Sequence, residues 1–269
     1  MFLSQVSFGN APANLDLEQL EDNLTSYFES LRRNGQVCGD EVFGVSGGKV
    51  VAYAYLARPD SHLLKYFSPY TLEYQENLHS LLGDFPQWTV MEDDQPSTEC
   101  TLPNDQPLCL FTSATSRESP VRILQSGQSV PLYCISIDPD ERERLVFWAR
   151  EYARLDGIWL ACGELEIAAY EQLATPTSLL AQNARDFCAT IEAAMNVPVY
   201  YFLMRHYGRG VDEVNRCCPA CGGSWNSPDF DPNSADFWNL PFRCDKCRLV
   251  SPYACSDEDT HAHIGEYTN

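Results

Sequence analysis

Phe2, Val6 and Phe8, with Gln5 and Ser7 between them, carry the two-residue period of a half-buried strand. Leu17, Leu20, Leu24, Phe28 and Leu31 then recur three and four residues apart, the period of an amphipathic helix, and Asn34-Gly35 supplies its stop. Residues 41–45 and 50–57 are rich in strand formers, and Ser46-Gly47-Gly48 between them offers the positive φ angles of a hairpin turn. Ser68-Pro69 opens a second helix with Pro at the first helical position, where its missing N–H costs nothing. Tyr70, Tyr74, Leu78 and Leu81 continue that helix, and Trp88-Thr89-Val90 predicts a closing strand. The order βαββαβ predicts a ferredoxin-like unit over residues 1–91. That fold hosts many activities, so by itself it implies none.

Residues 92–120 break the pattern with Glu92-Asp93-Asp94 and four prolines, which predicts a linker or long loop. A second α+β unit is predicted over residues 121–210. Val121 to Leu124 and the run Leu132 to Ile137 read as strands flanking a Ser126-Gly127 turn. Asp138-Pro139-Asp140 opens a helix carrying Leu145, Trp148, Tyr152 and Leu155 on one face, and Asp156-Gly157 closes it. Residues 158–161 read as a short strand and residues 164–173 as a short helix. Thr175 or Thr177 caps a further helix with Leu180, Ala184, Phe187, Ile191 and Met195 as its inner stripe, and residues 199–204 read as a buried strand. The fold class is therefore α+β: a ferredoxin-like N-terminal unit, a second α+β unit, a zinc ribbon over residues 211–254 and an acidic tail over residues 255–269.

The ribbon rests on cysteine spacing. No apolar run approaches the roughly 18 to 20 residues of a membrane span, and the N-terminus lacks the regions of a signal peptide, so a cytoplasmic protein is expected. In that reducing compartment 12 cysteines predict thiols or metal ligands. Cys218-Pro219-Ala220-Cys221 and Cys244-Asp245-Lys246-Cys247 are two Cys-x2-Cys pairs with 22 residues between them. Each pair makes a tight turn that points two thiolates at one ion, so Cys218, Cys221, Cys244 and Cys247 are expected to hold one structural Zn2+. Four sulfur ligands leave no open coordination position for catalysis. Cys217 is the rival to Cys218, but it would leave three residues before Cys221 instead of two. Ser227 to Asn233, acidic and bearing prolines, reads as a loop inserted in the ribbon. Cys38, Cys100, Cys109, Cys134, Cys162, Cys188 and Cys255 lack ligand spacing and read mostly as buried thiols.

Charge narrows the function classes. Eighteen basic residues against 38 acidic ones give a net charge of −20, which excludes a basic protein that wraps DNA. Residues 199–253 are balanced, with Arg243, Lys246 and Arg248 clustered on the second Cys pair and Trp225, Trp238 and Phe242 near them. Two readings stay open. Arg243, Lys246, Arg248 and Trp225 form a small face for single-stranded nucleic acid, or Trp225 and Phe242 pack the ribbon core while the cations balance the thiolates. A protein-interaction adaptor with a structural zinc, its acidic body meeting a basic protein partner, is the competing class; no membrane partner is expected. No catalytic residues are predicted, because His62, His79, His206, His261 and His263 fall in no nucleophile or ligand constellation and Asp138 to Glu141 reads as a helix cap. An enzyme whose site is unreadable from sequence is the third class.

Tyr200-Tyr201-Phe202-Leu203, Cys218-Pro219-Ala220-Cys221-Gly222-Gly223-Ser224-Trp225 and Phe242 through Ser251 resemble a family of uncharacterised bacterial zinc-ribbon-containing proteins for which nucleic-acid binding has been suggested. Asn34-Gly35-Gln36 extends the resemblance toward the N-terminus. It implies a zinc ribbon and no established activity.

Overall fold

The computed structural model describes residues 1–91, 105–205 and 215–254. These fall into two compact units, one of residues 1–91, 117–119 and 131–143, the other of residues 105–116, 120–130, 144–205 and 215–254. The predicted tail over residues 255–269, the ribbon's first residues 211–214, and Cys100, Cys255, His206, His261 and His263 lie outside the described residues.

The first unit runs β1 (Phe2–Asn10), α1 (Leu17–Arg33), β2 (Val37–Ser46), β3 (Lys49–Leu56), α2 (Pro69–Leu82) and β4 (Gln87–Val90). Its strands form an antiparallel sheet in the order β2-β3-β1-β4, the ferredoxin-like arrangement. Local chemistry sets each boundary. The Asp16 carboxylate accepts from the N–H groups of Glu18 and Gln19 and starts α1. The Ser68 hydroxyl accepts from Thr71 N–H and starts α2, with Pro69 in the first turn. Gly47 and Gly48, at φ 58° and 78°, make the two-residue turn between β2 and β3. The helical stripe Leu20, Leu24, Tyr27, Phe28, Leu31 and the strand stripe Val6, Phe8, Ala52, Ala54, Leu56 close into one core. Phe8, Tyr27, Phe28 and Trp88 meet edge to face at 5.4 to 6.1 Å within it. His62 and His79 stack on Trp88 and Phe85 at the margins of this unit.

From residue 92 onward the structure differs from the sequence expectation in four places. The stretch 92–120 is not loop throughout, because Leu108–Leu110 forms a fully buried strand, β5, paired with β6 (Val121–Ile123). Three residues carry no readable period, and the prolines around them masked the strand. Leu132 to Ile137 is no strand: Leu132–Cys134 is a turn of 3₁₀ helix. An apolar run on both faces does not distinguish strand from other buried backbone. Helix α3 (Pro139–Leu160) runs straight through Asp156-Gly157 and absorbs the expected strand at 158–161. A helical Gly costs only about 1 kcal/mol, less than burying Trp159 returns. After α4 (Glu166–Ala174), α5 (Leu179–Met195) is capped by Ser178 and not by Thr175 or Thr177; the Ser178 hydroxyl accepts from Ala181 N–H.

Strand β7 (Val199–Phe202) follows, then β8 (Phe242–Cys244) and β9 (Leu249–Ser251). The sheet order is β6-β5-β7-β9-β8, with β5, β7 and β9 parallel. The cysteine-bearing hairpin β8–β9 thus extends the sheet of the second α+β unit and has no sheet of its own. Cys38, Cys109 and Cys188 are buried free thiols, Cys162 is exposed, and Cys134, contrary to the thiol reading, is disulfide-bonded. No helix among the described residues is long and apolar enough to cross a membrane.

Candidate metal centre

The sulfur atoms of Cys218, Cys221, Cys244 and Cys247 all lie within 4.8 Å of one another. Four sulfurs placed tetrahedrally at about 2.3 Å from a central ion stand about 3.8 Å apart. Cys221 Sγ and Cys244 Sγ are 3.8 Å apart, so the donor set is spaced to hold a metal ion. Cys217 is exposed and outside the cluster, as the register of the first Cys pair predicted.

The two turns share a backbone design. In the first, Gly222 N–H donates to Cys218 O and Cys218 N–H to Gly223 O. The residue four past the leading cysteine then takes a left-handed conformation: Gly222 at φ 69° and, in the second turn, Arg248 at φ 52°. For a non-glycine residue that conformation costs roughly 1–2 kcal/mol. Arg248 is held there by a two-pronged ion pair to Glu192 on α5, at 2.9 and 2.7 Å. The pairing holds the Glu192 carboxyl below its ordinary range. Three of the thiols are shifted in opposite directions. The Gly223 N–H brings the Cys221 thiol down to about 7, whereas burial pushes Cys244 and Cys247 up. A bound cation would offset the cost of gathering four thiolates.

The four residues expected to face nucleic acid are placed differently. Trp225 is 1% exposed and packs on Phe242, with ring centroids 5.2 Å apart, so no base can stack on it. Arg243 is ion-paired to Asp229 at 2.6 Å and to Asp245 at 3.2 Å. Arg248 is committed to Glu192 and lies over the Tyr200 ring. Lys246 is exposed, and among the described residues it makes no ion pair. Of the predicted cationic face, one charge therefore remains uncompensated. Glu192 and Asp229 were not legible as partners, because they lie 56 and 14 residues from the arginines they neutralise.

The segment between the two Cys pairs, which contains the inserted loop, is built on side-chain turns: Asp231 N–H donates to Asn239 Oδ1, and Trp238 N–H to Asp236 Oδ1. It is anchored by Trp238, whose indole lies against Gly127 and meets Phe111 edge to face at 5.3 Å. A Cβ at Gly127 would stand 1.6 Å from Trp238 Nε1, and Gly127 sits at φ 66°. Gly127→Ala is therefore expected to destabilise the protein by about 1–3 kcal/mol from overpacking and about 1–2 kcal/mol from backbone conformation. Urea unfolding checks this. A change under about 0.5 kcal/mol would mean that Trp238 can leave its seat without cost.

Three family models match successive stretches of the chain, each described as a domain of unknown function: DUF8589 over residues 1–92, DUF2310 over residues 104–204 and DUF8594 over residues 209–257. Among curated proteins the chain is similar to two from Haemophilus influenzae, both described as uncharacterized. One is 29% identical over 171 residues, covering 62% of this chain and 81% of the relative. The other is 26% identical over 269 residues, covering 93% and 97%. Among solved structures, the hydroxynitrile lyase from Passiflora edulis matches 35% of this chain and 97% of its own at 13% identity. Its TM-score is 0.28, a likeness that carries no argument about fold or activity. The comparisons thus relate the chain to uncharacterised bacterial proteins and leave its chemistry to be argued from its own residues.

Proposed function

We propose that the chain is a non-catalytic binding protein whose C-terminal half is held in shape by one structural Zn2+, bound through Cys218, Cys221, Cys244 and Cys247. The observation that supports this reading is the spacing of the four sulfurs, which suits a tetrahedral ion at all of them together. An all-thiolate set selects soft or borderline cations over Mg2+ and Ca2+, and zinc takes the tetrahedral shell without preference from its d electrons. With every position filled by sulfur, the ion ties the β8–β9 hairpin to the turn at Cys218–Cys221 and offers substrate no place. What the chain binds is a protein surface carrying positive charge. The net charge of −20 favours such a surface, and the compensation of Arg243 and Arg248 together with the burial of Trp225 disfavours nucleic acid.

Metal analysis of the purified protein is expected to return one equivalent of zinc, lost in Cys221→Ser and retained in Cys217→Ser. Less than half an equivalent, or nitrogen in the coordination shell, would overturn the assignment. Single-stranded RNA is expected not to bind at low salt. Binding with a log–log salt slope no steeper than roughly −3, abolished by replacing Arg243, Lys246 and Arg248 together, would restore the nucleic-acid reading.

A further inference from the structure

The three parallel strands of the second unit end on one cavity. Phe111 and Thr112 follow β5, Met204 and Arg205 follow the end of β7, and Pro252 and Tyr253 follow β9; all six line a cavity of about 940 Å³. Crevices outside the carboxyl ends of parallel strands are where open sheets bind ligands, because several loops converge there on one point. Trp159 on α3 and Phe230 and Phe237 from the segment between the two Cys pairs complete its walls. Phe111, Phe202 and Phe237 form a mutual ring cluster at 4.8 to 6.0 Å, while Phe237 and Phe230 are 55% and 40% exposed. Phe230 and Phe237 therefore leave open ring surface at this cavity.

One polar group sets the chemistry. Asp156 lines this cavity from α3 and is 5% exposed. Its Oδ2 accepts from Ala114 N–H at 2.7 Å, and no cation pairs with it among the described residues. Burial raises its pKa, and the Ala114 N–H only partly opposes that. A buried carboxylate without a counter-ion is costly, and a ligand cation would relieve the cost. Arg205 lines the same cavity but is not among the groups that shift Asp156, and Asp236 adds a second carboxylate to the lining.

We propose that this crevice binds a small organic cation with a flat aromatic body, its amine donating to Asp156 and its ring stacked among Phe111, Phe202, Phe237 and Trp159. Both attractions are known for such ligands: a charge-assisted hydrogen bond at one end and aromatic contact at the other. The site is separate from the four-cysteine centre and does not depend on the identity of the metal or of any protein partner.

The test is a charge series on one ring system, titrated calorimetrically into the full zinc-loaded chain: tryptamine, tryptophol and indole-3-acetate. Tryptamine is expected to bind saturably, about tenfold or more tighter than tryptophol, with indole-3-acetate weakest. Asp156→Asn keeps volume and an acceptor for Ala114 N–H, and is expected to remove the tryptamine preference while leaving tryptophol binding within about twofold. Phe230→Ala, on the exposed loop, is expected to weaken tryptamine and tryptophol alike. No saturable tryptamine binding at millimolar concentration, equal affinity across the series, or an unchanged preference in Asp156→Asn would overturn the proposal. Should Asp156→Asn unfold, the order of affinities in the parent and the Phe230→Ala result still decide it.

Discussion

Chelation of the metal is expected to expose the second unit as a whole to proteolysis, between residues 105 and 254, and to spare a fragment containing residues 1–91. The reason is the sheet. β9 is the parallel neighbour of β7, with Tyr201 N–H donating to Arg248 O and Leu203 N–H to Val250 O, so the edge that carries Cys244 and Cys247 is also a wall of the second core. Zn2+ contributes an apparent free energy of about 10–16 kcal/mol to small metal-folded peptides, as much as the whole stability of an ordinary domain, about 5–15 kcal/mol. Three-residue strands such as β8 and β9 cannot replace that by themselves. Residues 1–91 have a separate aromatic core and own no ligand. Limited proteolysis with fragment mass analysis, before and after chelation, reads this out. Cuts confined to residues 215–254 would show that β5, β6, β7 and helices α3 to α5 stand without the hairpin.

In the first unit the largest single loss is expected at Phe28. It is completely buried and its ring meets Phe8 at 6.1 Å, Tyr27 at 5.4 Å and Trp88 at 6.1 Å. Phe28→Ala removes the hub of this cluster and leaves a cavity that a helix and a sheet cannot both close around. About 3–5 kcal/mol should be lost in urea unfolding, a large share of the stability of a unit of this size. The same variant is expected to keep a full equivalent of zinc. A loss below about 1 kcal/mol would mean that the cluster relaxes into the space, and a loss of zinc would mean that the two units do not fold independently.

The first unit was readable because neighbouring residues state its physics. Asp16 and Ser68 cap helices within three residues of themselves, Gly47-Gly48 turns a hairpin on the spot, and the stripes through Leu20, Leu24 and Phe28 and through Val6 and Phe8 repeat at the two structural periods. The second unit was readable in its helices and in β6 and β7, but not in β5 or in where α3 ends. β5 is three residues long between prolines, and Asp156-Gly157, a stop signal in isolation, sits inside α3 because the Asp156 side chain is engaged by Ala114 N–H and Trp159 beyond it is buried.

The same division runs through the site. By itself the sequence determined which four cysteines gather, because a Cys-x2-Cys turn is local chemistry and the two-residue gap places Cys218, and not Cys217, in the cluster. It also determined the −20 charge and the ferredoxin-like order of elements. Only the tertiary structure decided that the cysteine hairpin continues a parallel sheet, that Asp229 and Glu192 neutralise Arg243 and Arg248, that Trp225 is core, and that three strand ends share a cavity with Asp156 in its wall. Each of these joins residues far apart in the chain. Such pairings are settled by competition for burial and for counter-charge over the whole fold, and no local spacing records the outcome.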